Sequence, residues 1–316
     1  MQVFRGIPEH ASQASVLTIG NFDGVHLGHQ ALLRMLVGRA RALGARACVL
    51  TFEPHPREYF SPANAPARLA SLREKLLLLA ANGVDATYVC RFDHRIASVP
   101  AERFISDILV RGFDVRHLII GDDFRFGARR QGDFALLQEA GRHRGFGVEA
   151  MHTLELEQER ISSSAIRDAL AMGDLNRAAR HLGRPYSIAG KVIAGKRLGR
   201  TLGFPTANIQ MKHRKPALSG VFAVAVEGLG ENLRPGVANI GIRPTVDDAA
   251  RPVLEVHLLD GAHDCYDAHL RIHFLHKQRD EIRFESLDAL TAQIARDADD
   301  ARDWFAHNPL NTEAGN

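Results

Sequence analysis

The chain has 316 residues, a formal net charge of +3, and 45% hydrophobic and 24% charged residues. That composition is ordinary for a globular protein, and the length suits two domains better than one. No apolar run approaches the length of a membrane span, and no dense basic or aromatic-interleaved stripe points to nucleic acid. Cys48, Cys90 and Cys265 are odd in number and far apart, which excludes a disulfide framework and fits a reducing compartment. The residues from Met1 to Gly6 hold no signal-peptide core, so the expected location is cytoplasmic. The sixteen histidines form no zinc-binding spacing.

In chain order, residues 16–22 read as a strand, 30–43 as a helix and 45–52 as an apolar strand. A helix is expected over 69–82, with Ser71 as cap, Glu74 at capping-box spacing and Gly83 as terminator. Strands follow at 86–92, 115–120 and 147–151, alternating with helices at 101–110 and 134–144. Strands separated by helices pair in parallel, so the first half is predicted to be an open α/β sheet of Rossmann type, with ligands beyond the carboxyl ends of its strands. Two short helices, 161–171 and 174–182, lead to Gly183-Arg184-Pro185, the expected boundary between domains 1–184 and 185–316. Beyond it, β-rich runs at 186–194, 221–226, 233–240, 253–259 and 270–275 predict a small antiparallel barrel. An amphipathic helix over 287–305 is expected to close it by simple packing.

The strongest local signal is Gly20-Asn21-Phe22-Asp23-Gly24-Val25-His26-Leu27-Gly28-His29, at a strand-loop-helix junction. A helix start offers unpaired N–H groups and the positive end of a dipole. Glycine lets a bulky anion approach the backbone. His26 and His29, three apart, are expected on one face of the first turn, where both donate hydrogen bonds to a phosphate. Ile161-Ser162-Ser163-Ser164-Ala165-Ile166-Arg167 also begins a helix; its hydroxyls serve as caps or phosphate ligands, and Arg167 supplies a fork suited to phosphate. In Gly121-Asp122-Asp123-Phe124-Arg125-Phe126-Gly127, Phe124 and Phe126 either stack on a flat ring or wedge the loop shut. His55, between Pro54 and Pro56, is a turn residue or a substrate contact.

In the second half, the run 195–208 puts Gly195, Lys196, Arg200 and Gly203 in a flexible basic loop suited to ATP phosphates, without Walker A spacing. Thr206 and Asn208 follow, two residues apart and so on one side of an extended strand; they form a turn or hold a magnesium ion that keeps most of its water. Glu255 alternates in phase with Val253 and His257.

The first segment resembles the HxGH signature of the nucleotidyltransferase superfamily, and its full form resembles the FMN adenylyltransferase module of the bacterial bifunctional riboflavin kinase/FAD synthetases. The serine run is similar to that family's ISSTxIR motif, with Ser164 in place of threonine, and the 121–127 loop to its GxDFRFG motif. Residues 195–208 match the riboflavin kinase signature GxxxGRxLGFPTAN, 239–245 resemble NIGxRPT, and Arg279-Asp280-Glu281 with Arg283-Phe284 resemble the segment that closes the flavin site. Phe222, Val246 and Asp267 depart from the common family pattern. The resemblance implies phosphorylation of riboflavin to FMN by the C-terminal barrel and adenylylation of FMN to FAD by the N-terminal domain, both with ATP and Mg²⁺. It implies Glu255 as the base, His26, His29 and Arg167 as catalytic groups, and flavin contacts at His55, Asp123, Phe124, Phe126 and Arg279, the last otherwise a surface ion pair. Small-molecule partners and a monomer or weak homo-oligomer are expected. A one-activity enzyme and a flavin-binding regulator are the competing readings.

Overall fold

The computed structural model describes residues 1–194, 204–211, 215–243, 251–261 and 265–310. The chain divides into two compact units: Met1–Pro66 with Leu72–Ser162, and Ala67–Ser71 with everything from Ser163 onward.

The first unit contains β1 (Gln2–Arg5), β2 (Ser15–Ile19), α1 (Leu27–Ala42), β3 (Arg46–Glu53), α2 (Pro56–Phe60), α3 (Leu72–Ala81), β4 (Ala86–Arg91) and α4 (His94–Ala97). It continues with α5 (Ala101–Arg103), β5 (Val115–Gly121), α6 (Phe134–Arg144), β6 (Gly147–Met151) and the two-residue strands β7 (Glu155–Leu156) and β8 (Glu159–Arg160). The sheet runs β1-β4-β3-β2-β5-β6, parallel throughout. β2 is buried along its whole length because both sheet faces are covered. Val16 packs with Leu33 and Leu36 of α1 and Leu79 of α3, whereas Leu17 and Ile19 join Phe104, Ile108, Leu118 and Leu137.

The strand order reverses about β2, with β3 on one side and β5 on the other. The loops after β2 and β5 therefore flank the switch-point crevice where α/β sheets take their ligands. Two differences from expectation stand out. The strand β1, exposed at every residue, was not anticipated, because an edge strand with no buried face has no alternation to read. The helix expected over 101–110 widens into a π-helix over Phe104–Gly112, and Gly112 accommodates a close approach of the Pro8 carbonyl there.

The second unit contains α7 (Ser163–Met172), α8 (Leu175–Leu182), β9 (Ser187–Ile193), β10 (Thr206–Gln210), β11 (Gly220–Glu227), β12 (Arg234–Arg243), β13 (Arg251–Leu258), β14 (His269–Arg279) and α9 (Leu287–His307). Its strands close a barrel in the order β10-β13-β12-β11-β14-β9, with antiparallel pairing between neighbours. Alternate residues such as Phe222, Val224, Leu254, Val256 and Ile272 fill the interior. Ile166, Leu170, Ala178 and Leu182 of α7 and α8 belong to that same core, and the division between the two compact units falls before α7.

Candidate active sites

Between β2 and α1 the backbone is forced into an unusual path. Phe22 and Val25 have φ of +48° and +41°, and both side chains are buried. Left-handed backbone at non-glycine residues costs energy and persists only where packing over-determines it, typically at functional sites. His26 is the N-cap of α1: its Nδ1 accepts a hydrogen bond from the His29 backbone N–H at 3.3 Å. The two imidazoles stack at 3.7 Å between centroids, tilted by 17°, and the Phe22 ring lies 5.0 Å from His29. Gly28 makes this possible, since a Cβ there would meet the His26 ring at 3.2 Å. The two histidines expected on one face are therefore brought together as a stacked pair.

Burial lowers the His29 pKa well below 6.5, with further lowering by His26 and Lys75, so at neutral pH the ring is uncharged. Two buried polar atoms here, His29 Nδ1 and Asn21 Oδ1, have no hydrogen-bond partner among the described residues. Each such atom costs about 1–3 kcal/mol, a cost that native proteins keep mainly where function needs it. Asp23 is buried beside them in the loop.

His55 caps α2: its Nδ1 accepts from Arg57 N–H at 3.0 Å, and Glu58 returns a bond from the His55 N–H at 3.1 Å. At the other side of the crevice, Asp123 pairs with Arg160 of β8 at 2.9 Å and Asp122 accepts from Thr153 N–H at 3.3 Å, which ties the β7–β8 hairpin to this loop. Phe126 is buried against Phe104 and packs over Gly132, a wedge in the core, while the half-buried Phe124 stacks on it at 5.9 Å. Tyr59, Phe60 and Phe92, which pack with Phe52, have no site role assigned from sequence. They form an edge-to-face cluster with centroids 5.2–5.6 Å apart at the carboxyl ends of β3 and β4, and Phe60 is 67% exposed. Its signal was the Tyr-Phe pair closely following His55.

Ser162 ends the first unit, while Ser163, Ser164 and Arg167 open α7 in the second. Arg167 Nε donates to the Ala67 carbonyl at 2.6 Å.

On the barrel, cross-strand register aligns polar side chains in rows. Glu255 of β13 stands directly opposite Asn208 of β10 on one side and Asn239 of β12 on the other. Thr206 stands opposite His257. Directly opposed residues share a face. Leu254, Val256 and Leu258 point to the core, so Glu255, His257, Thr206 and Asn208 lie on the outer face. His257 Nδ1 hydrogen-bonds the Pro205 carbonyl at 3.0 Å and its ring meets Phe204, fixing the entry to β10. Gly241 leaves room on this face for the Glu281 carboxylate, whose pKa burial raises. Arg279 is engaged elsewhere: it grips Asp297 of α9 through two bonds of 2.8 and 2.6 Å and donates to the Asp280 carbonyl at 2.9 Å. Asp297 is buried, so this is an interior strut between strand and helix rather than the surface pair weighed from sequence. Gly195, Lys196, Arg200 and Gly203 lie outside the described residues.

An α/β unit with an imidazole-capped helix start, joined to a barrel with a carboxylate between amides, defines a two-domain transferase of phosphorus-containing groups. The FAD synthetase family matches residues 8–165 and the Riboflavin kinase family residues 182–305. The bifunctional riboflavin kinase/FMN adenylyltransferase of Escherichia coli K12 is 52% identical over 309 residues, covering 96% of this chain and 98% of that protein. The protein of the same name from Pseudomonas fluorescens is 50% identical, covering 96% and 97%. A crystal structure described as a macrolide-efflux protein from Streptococcus pneumoniae superposes with a TM-score of 0.81 at 28% identity, covering 96% of this chain and all of that one. The chain belongs to the bifunctional riboflavin kinase/FMN adenylyltransferase family.

Proposed function

We propose that the two activities divide between the family matches, adenylylation to the N-terminal side and phosphorylation to the C-terminal side, with the functional boundary at 184/185, close to where the second match begins. The enzyme phosphorylates riboflavin to FMN with ATP and converts FMN to FAD with release of pyrophosphate. The observation that carries the kinase reading is the register of Glu255 between Asn208 and Asn239. Glu255 accepts the proton of the riboflavin 5′-hydroxyl as that oxygen attacks the γ-phosphorus and ADP leaves. The two flanking amides orient the carboxylate.

The neutral oxygens of Thr206 and Asn208 share a face, a donor set suited to a hard cation that draws its remaining ligands from water and phosphate. When bound there, Mg²⁺ neutralises charge on the transferring phosphates. Thr206 and Asn208 are the residues proposed to hold it.

In the second reaction an FMN phosphate oxygen attacks the ATP α-phosphorus. The nucleophile is already anionic, so the protein's part is positioning and charge stabilisation. Because His26 Nδ1 accepts from a backbone N–H, the neutral ring carries its proton on Nε2, which donates to phosphate oxygen. His29 adds a second donor, with residues of the loop Gly20–Gly24 and Ser162–Ser164 as further phosphate ligands and Arg167 as the cationic fork. Gly195, Lys196, Arg200 and Gly203 are the proposed phosphate loop of the kinase. The exposed Phe60 cluster, His55, Phe124 and Asp123 are the proposed flavin wall of the adenylylating site; the Arg279 strut shapes the kinase's flavin side through α9.

Cytoplasmic location is supported by the cysteines. Cys48 and Cys90 are free and buried, their thiols pushed up to about 12 and about 11. Among the described residues, no helix is long and apolar enough to cross a membrane.

Incubation with riboflavin and MgATP, followed by chromatography, is expected to yield FMN and then FAD. Glu255→Gln should make no FMN yet convert supplied FMN to FAD; His26→Ala should do the reverse. Retained kinase turnover in Glu255→Gln would remove that residue from the reaction, and bound but unaltered riboflavin in the parent protein would make the chain a flavin-binding regulator.

A further inference from the structure

We propose that Lys75 is a positioning residue for adenylyl transfer: an interior ammonium on α3 that acts through His29 to set the first turn of α1 for a triphosphate. The inference rests on reading the His26–His29 pair as the phosphate site of that reaction.

Lys75 is fully buried, among the largest side chains of the protein with no exposed surface. Lysines on amphipathic helices normally lay their stems along the surface and keep the charged end in water. Taking an ammonium out of water costs several kcal/mol even after relaxation. The placement follows from helix geometry. Leu79, one turn further along α3, is wholly buried in the core that Leu32, Leu33 and Leu36 of α1 share. Positions four apart occupy the same side of a helix, so Lys75 lies on the side of α3 that packs toward α1. Its charge is felt by His29.

His26 stacks on His29 from the preceding loop, and the Lys75 charge acts on it from α3. Two buried carboxylates accompany these segments, Asp23 in the loop and Glu74 beside Lys75. On α1 the next charged side chain, Arg34, is exposed. A fixed interior cation makes the helix start electropositive for a polyanion and adds to the burial and the His26 interaction that keep His29 from taking a proton of its own. His29 then stays a neutral donor, stacked on His26, with its geometry intact. A lysine suits this task because its charge is compact. Local sequence around Lys75 carries no mark of its burial.

The test compares the full-length protein with Lys75→Met and Lys75→Arg. Formation of FAD from FMN is measured against ATP concentration, and the His29 ring is titrated by NMR in imidazole-labelled protein, its signal identified by loss in His29→Asn. Lys75→Met is expected to lower kcat/KM for FAD formation at least about tenfold. It should also move the His29 titration to higher pH and leave FMN formation from riboflavin unchanged; Lys75→Arg should restore both quantities toward the parent. An unchanged His29 titration, or full FAD synthesis in Lys75→Met, overturns the proposal. If the amide spectrum shows that Lys75→Met does not fold, Lys75→Gln, similar in reach and uncharged, is read by the same two criteria. Failure of the underlying site reading is distinguishable: undiminished FAD synthesis in His26→Ala would remove the histidine pair from the reaction, whatever the His29 titration in Lys75→Met.

Discussion

Replacing Gly28 with alanine separates the geometry of the adenylylating site from the stability of the chain. A Cβ at residue 28 would stand 3.2 Å from Cε1 and Nδ1 of His26, tight enough that the ring must give by a few tenths of an ångström. Nδ1 is the atom that caps α1, through a bond already 3.3 Å long, so the movement opens the cap. Loss of such a cap costs about 1 kcal/mol. Alanine in place of glycine inside a helix returns about 1 kcal/mol. The two nearly cancel, and the melting temperature should stay within a few degrees of the parent. Catalysis has no such compensation. A misplacement of a full ångström costs about a hundredfold in rate, so a shift of a few tenths should cost about tenfold in FAD formation. The assay is chromatographic: FAD from FMN and ATP, with FMN from riboflavin as the control on the other unit. Full FAD synthesis in Gly28→Ala would refute the claim that the position of the His26 ring matters. A collapse in stability with no kinetic change in the surviving protein would show that the glycine serves the fold alone.

Arg279→Ala should destabilise the barrel unit by about 3 kcal/mol, because it removes the cation from the buried Asp297 carboxylate and leaves it the Gln293 amide, and Arg279→Lys should recover only part of that. Denaturant melts decide; a loss below 1 kcal/mol would mean the pair behaves as an exposed one. Acid should weaken the fold early. His29 and His273 are both held below the ordinary 6.5, chiefly by burial, so below pH 6.5 the unfolded chain binds protons that the native chain refuses. Their contribution is complete above pH 6.5 and is lost as pH falls toward their native values. Melting temperature should be flat from neutral to mildly alkaline pH and decline below 6.5, less steeply in His273→Gln; a rise between pH 7 and 6 would contradict the assignment.

Elements with one buried face and clear end signals were legible. The helix expected at 134–144 is α6, capped by Asp133 and ended by Gly145 in the left-handed conformation, and the strand expected at 147–151 is β6. The helix expected to start at residue 30 begins three residues earlier, because His26, not one of the usual capping residues, serves as its cap. The short helix α2 went unread for a similar reason: His55 caps it in place of the usual serine or aspartate. The hairpin of β7 and β8 turns through Glu157 and Gln158 at φ of +52° and +68°, where sequence rules look for glycine or asparagine.

Site legibility followed the range over which each constellation is assembled. Short motifs name residues a few positions apart, and the stacking of His26 on His29 was close to readable because a helix start fixes both. A carboxylate flanked by two amides is a property of register, and the alignment of Asn208, Asn239 and Glu255 depends on how three strands pair across a closed barrel. Nothing in 253–259 alone distinguishes that carboxylate from a solvated one. Arg279 shows the converse. A pattern suggested a ligand contact, yet its partner, eighteen residues away on α9, is recognisable only once the helix is docked. Lys75 is the extreme case, because local sequence carries no mark of whether a lysine faces water or the interior. Roles that depend on burial become visible only when packing is known, and at both of these positions packing sets the surroundings of a charge that local sequence leaves open.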